Sequence, residues 1–199
     1  MALVSTSDGR WGVLRNGRLR VQGQDRTFID IAQSDNGRIF ANTFSSLYRL
    51  NRSGESKFIG SFGASGMNSL GFDANGRLFG ASDNGGFYQI NQRTGEARLL
   101  FTTQGFASSG DLVFDPAKNR FFLTARRSGT DVLLSIRRNG SFSLVGDVGY
   151  SNVFGLALDG RNLFGYTAQN QEILINKNTG VGRFRQNVRG TIGQIYGAT

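Results

Sequence analysis

The sequence predicts an all-β fold, and three observations carry that expectation. Glycine is frequent and proline scarce, 29 and 1 of 199 residues, while phenylalanine reaches 17, a profile of short strands joined by glycine turns. No window of helical length sets apolar residues at i, i+3, i+4 and i+7 without interruption by Gly or β-branched residues, so amphipathic helices are not expected. The chain also resembles itself at a spacing of about forty residues, the mark of a repeat architecture.

Taken in order, the first 26 residues read as three strands: ALVST, WGVLR running into an Asn16-Gly17 turn, and RLRVQG. Four aligned strings follow: DIAQSDNGRIFANT from Asp30, SLGFDANGRLFGAS from Ser69, DLVFDPAKNRFFLT from Asp111 and GLALDGRNLFGYT from Gly155. Each is an apolar stretch, an Asp/Asn/Gly turn and a second apolar stretch, hence two strands of a hairpin. Each continues alike, with LYRLNRSGESKFIG from Leu47, FYQINQRTGEARLL from Phe87, LLSIRRNGSFSLVG from Leu133 and ILINKNTGVGRFRQ from Ile173. Their N-G, S-G and T-G pairs supply the positive-φ residue of a hairpin turn.

One repeat therefore holds four strands, a to d. With Ile31, Leu70, Leu112, Leu156 and Ile195 as equivalent strand-a positions, the spacings are 39, 42, 44 and 39 residues, the period of a β-propeller blade. The C-terminal TIGQIYGAT has room for strand a alone, and the N-terminus supplies b to d, so the two ends complete one blade and remove an open edge. The expected architecture is one five-bladed β-propeller with blades 27–66, 67–110, 111–152, 153–190 and 191–199 with 1–26. An alternative alignment sets Ile195–Thr199 against Leu78–Ser82 and Leu163–Thr167 as a strand b, which would change the closing register.

The strings FDANGRLFGASDNGGFYQINQRTGEA (Phe72–Ala97) and LALDGRNLFGYTAQNQEILINKNTG (Leu156–Gly180) resemble bacterial propeller repeats of the broad NHL/YWTD-like kind. The resemblance covers nearly the whole chain and implies the fold. It implies no one activity, because propellers serve as enzymes, lectins, scaffolds and assembly subunits.

The absence of cysteine and histidine removes disulfides, thiolate nucleophiles, zinc-type sites and His-based acid–base chemistry. The turn carboxylates Asp35, Asp73, Asp115 and Asp159 would gather on one face, yet each precedes Gly, Asn or Pro within its turn or stands in an Asx pattern, so they read as caps of their own backbone amides. Glu55 and Glu96 follow turn glycines, and with Glu172 they form no paired-carboxylate constellation of a glycosidase. No catalytic residue, metal or cofactor is expected. Phe40, Phe79, Phe122 and Phe164 on strand b, Phe72 and Phe114 on strand a, and Trp11, Tyr48, Phe87 and Tyr88 on strand c are expected to pack between blades. The Asn51 and Asn139 tripeptides match glycosylation sequons but read as turns. Neither a membrane span nor a signal peptide is visible, so a soluble cytoplasmic protein is expected.

Charge is the informative remainder. The chain has 23 Lys+Arg against 14 Asp+Glu, a net charge of +9, and all but Lys57, Lys118 and Lys177 of the cations are arginine, the bidentate donor to carboxylate, phosphate or sulfate. Blades 1 to 5 carry +1, 0, +2, +3 and +3, so the surplus lies on blades 3–5. Arg18 with Arg20 and Arg183 with Arg185 alternate on outer strands of adjacent blades, where the four could share one rim region, with Arg26 and Arg189 in adjoining loops. Arg126, Arg127, Arg137 and Arg138 extend the set on blade 3. Charge on an outer strand also protects its edge from aggregation. The expected function is a non-catalytic binding or assembly module docking an acidic protein surface, as an accessory subunit of a larger complex. A lectin-like propeller binding glycans, anionic ones included, is the alternative. Nucleic-acid binding is a weaker one, since no RNP-type signature appears and lysine is scarce.

Overall fold

The computed structural model describes residues 1–51, 53–127, 129–191 and 193–199. It contains twenty strands and, among the described residues, no helix. They are β1 (Ala2–Thr6), β2 (Arg10–Arg15), β3 (Arg18–Gln24), β4 (Asp30–Gln33), β5 (Ile39–Asn42), β6 (Ser46–Leu50), β7 (Ser56–Ser61), β8 (Met67–Phe72), β9 (Leu78–Ser82), β10 (Gly86–Ile90), β11 (Ala97–Thr102), β12 (Ala107–Asp115), β13 (Arg120–Arg126), β14 (Asp131–Ile136), β15 (Phe142–Asp147), β16 (Val153–Asp159), β17 (Asn162–Thr167), β18 (Gln171–Ile175), β19 (Gly182–Asn187) and β20 (Ile195–Ala198). They form five four-stranded sheets, β4–β7, β8–β11, β12–β15, β16–β19 and β20-β1-β2-β3, all with antiparallel neighbours. This is the five-bladed β-propeller expected from the repeats.

Closure takes the expected form. β20 is the innermost strand of its sheet and pairs with β1 through Val4↔Ala198 and Ser5↔Gly197. Leu3 N donates to Thr199 O at 3.0 Å and Thr199 N to Leu3 O at 2.9 Å. The tail is thus strand a, not strand b. Its register differs from the aligned one by three residues. Ile31, Leu70, Leu112 and Leu156 lie opposite Ala41, Gly80, Leu123 and Gly165, and the residue in that place on the last strand is Ala198 opposite Val4, not Ile195. The extra length before β20 has a structural use: Arg189 donates its N–H to Gly17 O at 2.7 Å and accepts from Leu19 N at 2.9 Å. The chain docks along the rim of the final blade before turning inward.

The core lies between the sheets. Five apolar clusters each fill one gap: Leu3, Trp11 and Ile31 between blades 5 and 1; Phe40, Met67 and Leu70 between 1 and 2; Phe79, Phe87 and Phe121 between 2 and 3; Phe122, Leu133 and Val153 between 3 and 4; Leu14, Phe164 and Ile195 between 4 and 5. The repeat aromatics are therefore wedge fillers, and Trp11, Phe40, Phe87 and Phe122 are almost wholly removed from solvent. Each such side chain contributes roughly 1.5–3 kcal/mol. The repeated turns of the blades also serve these gaps. A Cβ at Gly146 would collide with Thr179 O of the next blade's outer turn, and one at Gly60 with Thr94 O; only glycine allows those backbones to touch.

Candidate functional site

The outer strands β3 and β19 present the arginines singled out by charge. Arg18, Arg20, Arg183 and Arg189 are exposed, and none of the ion pairs among the described residues involves them. A parallel bridge joins Arg18 to Arg189, so these two lie side by side on the rim. The pairs Arg18/Arg20 and Arg183/Arg185 do not converge. Arg20 lies opposite Val13, which lies opposite Leu3 on the side packed toward blade 1, whereas Arg183 lies opposite Leu174, itself opposite Phe164, on the side turned to blade 5. Both lie on the side of their blade turned to the following one, so the sheet of blade 5 stands between them.

The other predicted arginines divide by partner. Arg185 donates from Nη1 to Glu172 Oε1 at 2.5 Å and lies 4.9 Å over the Phe164 ring. Arg26 donates to the Tyr48 hydroxyl at 3.1 Å and covers its ring at 4.6 Å. Arg138 spans blades 2 and 3, with Nε 3.5 Å from Asp73 and Nη2 2.8 Å from Asn119 Oδ1, over Phe114 at 5.0 Å. These three are held by the fold. Arg127 and Arg137 are exposed, and Arg126 turns to the central axis, as described below.

The carboxylates divide. On blades 3–5, Asp111, Asp115, Asp131 and Glu172 are buried, while Asp25, Asp147 and Asp159 are exposed and Asp8 is half-buried. Burial pushes the Asp131 carboxyl up, although Ser109 Oγ and the Val153 amide, both at 2.7 Å, favour its charge. Burial acts the same way on Asp115, but Lys177 Nζ at 2.6 Å and the Lys118 and Ala117 amides outweigh it and hold that carboxyl below the ordinary range. Asp73 and Asp115 accept amides of their own turns, as their spacing predicted. Asp159 instead receives the N-terminal amine at 2.5 Å. Among the described residues no three acidic, His or Cys side chains gather as a metal site.

Two carboxylates that the turn pattern did not single out occupy the axis. Asp30 and Asp111 open their strings, where Ser69, Gly155 and Gly197 stand on the other blades. The innermost strands have a ladder partner on one side only, so alternate N–H groups face the channel and need acceptors. Asp30 accepts from Ile31 N at 2.7 Å and Leu70 N at 2.6 Å. Asp111 accepts from Leu112 N at 2.5 Å, Leu156 N at 2.6 Å and Ala198 N at 3.0 Å. Two carboxyls thus satisfy the equivalent amide of every blade. Both are wholly buried and hydrogen-bonded to each other; burial, with the neighbouring charge at Asp30, pushes both well above the usual carboxylate range. A Cβ at Gly197 would strike Asp30 Oδ1, so the small residues opposite make room for the pair.

Beyond this pair, where the innermost strands begin, a cavity of about 260 Å³ opens on the axis. Ile29, Asn68, Phe154 and Tyr196 line it from equivalent positions of four blades, with Phe44 and Arg126 at its sides.

No protein-family model matches the sequence, and no curated protein does. Solved structures match at the level of fold. A chain of the nidogen/laminin complex is 12% identical with a TM-score of 0.72, over 100% of this chain and 97% of that one. An auxiliary nutrient binding protein from Bacteroides thetaiotaomicron is 14% identical with a TM-score of 0.55, over 82% and 48%. A PQQ-bound aldose sugar dehydrogenase from Streptomyces coelicolor is 16% identical with a TM-score of 0.58, over 89% and 63%. The chain spans nearly all of the first and about half to two thirds of the other two. At these identities the likeness is one of fold.

Proposed function

We propose that the chain is a non-catalytic binding module that docks an acidic protein partner through the arginine-rich flank of blades 3–5. One observation carries this reading: on those blades four of the eight acids, Asp111, Asp115, Asp131 and Glu172, are buried, while Arg18, Arg20, Arg183 and Arg189 stay exposed without an ion-pair partner among the described residues. The surface there is more cationic than the composition implies, and unpaired guanidiniums suit bidentate carboxylate recognition. Each of these buried acids is engaged by backbone amides, serine, lysine or arginine, so none of the four stands free as the carboxylates of a glycosidase do. Structural relatives include a chain of the nidogen/laminin complex, so the fold is compatible with such a role.

The test is a combined Arg18→Glu, Arg20→Glu, Arg183→Glu and Arg189→Glu variant, with thermal unfolding as a control on folding. Arg185 is left intact because a carboxylate there would face buried Glu172. A partner captured by the wild type from its host is expected to be lost by the variant and released by salt. Equal capture by both, with salt insensitivity, rules the reading out. Glycan binding requires the inter-blade grooves to repeat, whereas one is lined by Lys118, Arg161 and Arg183 and another by Leu3, Trp11 and Gln22.

A further inference from the structure

We infer that the axial cavity at the start of the innermost strands is a binding site for a small aromatic carboxylate. This site is separate from the rim arginines and does not rest on the docking reading.

The volume of about 260 Å³ is below the usual range of roughly 300–1,000 Å³ for drug-sized ligands, so it suits a molecule built on one ring. Its walls are unlike one another. On one side Phe154 and Tyr196 meet edge to face, with centroids 6.0 Å apart and planes at 83°, an arrangement that leaves ring surface for a third aromatic group to pack against. Phe44, 49% exposed, and Ile29 extend the apolar lining from blade 1. Such a half-exposed phenylalanine beside a cavity has apolar area left to bury.

The charge comes from Arg126, the one basic residue of the lining. Its cross-strand neighbour is Asp131, but that carboxylate is held by Ser109 Oγ and Val153 N, both at 2.7 Å, and forms no ion pair with Arg126 among the described residues. The guanidinium therefore has donors free for a ligand carboxylate, in the two-pronged geometry lysine cannot match. A cationic ligand would meet that charge directly. Asn68 also lines the cavity, but its side chain is buried and its Nδ2 is spent on Ser108 O at 3.0 Å, so recognition of a ligand rests on the rings and Arg126. The channel beyond is closed by Asp30 and Asp111, whose oxygens are engaged by the five inner amides, so the ligand is confined to the mouth.

The experiment titrates the whole chain with 4-hydroxybenzoate, benzoate and benzamide, by calorimetry and by ligand-observed NMR. Saturable one-to-one binding is expected for 4-hydroxybenzoate and benzoate, with benzamide about tenfold or more weaker than benzoate because it lacks the charge for Arg126. Arg126→Gln is expected to remove that difference and Arg126→Lys to restore part of the affinity, while Tyr196→Ala weakens all three probes. The four-arginine rim variant is expected to bind as the wild type does, which separates this site from the docking surface. The inference is overturned by a lack of saturable binding up to about 10 mM, a concentration at which even weak specific sites fill, or by affinity for benzoate that Arg126→Gln leaves unchanged.

Discussion

The axis and the rim of this propeller both carry charged side chains, and they treat them in opposite ways. At the axis Asp30 and Asp111 are wholly buried, and every oxygen accepts at least one backbone amide. On the rim Arg18, Arg20, Arg183 and Arg189 are exposed and, among the described residues, form no ion pair. A buried, hydrogen-bonded charge is costly to alter because its partners cannot turn to water, while an exposed one can be changed with small effect on folding. Charge that holds the ring together is therefore separable by mutation from charge available to a partner.

The largest effect is expected at the axis. Asp111→Ala removes the acceptor of Leu112, Leu156 and Ala198 at once, and Ala198 belongs to the strand that closes the ring. At about 1–3 kcal/mol for each buried group left without a partner, the loss amounts to roughly 3 kcal/mol or more, measurable as a lower midpoint in urea unfolding. A loss within about 0.5 kcal/mol, the range of neutral surface changes, would mean that the amides find water and that the pair does not hold the channel.

A pH series sharpens the same contrast. In the unfolded chain both carboxyls titrate near the ordinary aspartate value of about 3.9. In the ring, burial raises both, with the neighbouring Asp111 adding to it at Asp30, so the folded state binds more protons and this contribution to stability is full below about pH 4 and lost as pH rises through the native titration. Asp115, held low in the fold, acts with the opposite sign: its contribution is present at neutral pH and disappears in acid as pH falls through its native value. Urea unfolding is therefore expected to show stability declining from mildly acidic to alkaline pH. Asp30→Asn is expected to flatten that decline, because an amide can donate to Asp111 without titrating, at a cost of about 1–3 kcal/mol for the one acceptor it loses among the Ile31 and Leu70 amides. An unaltered pH profile in Asp30→Asn would assign the decline to other groups.

Much of the axis was within reach of the sequence, but only in part recognised. The repeat spacing, the wedge-filling aromatics and the closure of the ends are local or periodic features, and periodicity in a repeat translates directly into equivalent positions in space. The aligned strings even begin at the axial position, with Asp30, Ser69, Asp111 and Gly155 in one column. What one column does not reveal is that its members meet across a channel, since that depends on ring closure, so the turn aspartates drew the attention instead. The three-residue slip at Ile195 has a similar cause: residues 188–190 pair along the rim through Arg189, a contact with no counterpart in the repeat pattern. The rim was legible in composition and illegible in direction, because a β-bulge at Arg185 brings both Arg185 and Gln186 onto Glu172 and the sheet of blade 5 stands between Arg183 and Arg20.

The smallest effect belongs to the rim, and it is the one that decides whether the comparison holds. Arg20→Gln removes a charge that makes no ion pair among the described residues and lies opposite half-buried Val13 on the outermost strand. The side chain's aliphatic stem is kept in large part by glutamine, so the expected change in urea stability is within about 0.5 kcal/mol. Two like charges, Arg15 and Arg18, face each other across the same hairpin, and like-charge pairs directly opposite destabilise a sheet. Removing a third nearby cation therefore acts, if at all, toward greater stability at low salt, an effect that added salt should erase. A loss of more than about 1 kcal/mol, beyond what exposed pairs usually contribute, would show that Arg20 supports the fold as Arg185 does through Glu172, and the rim would then have fewer arginines to offer a partner.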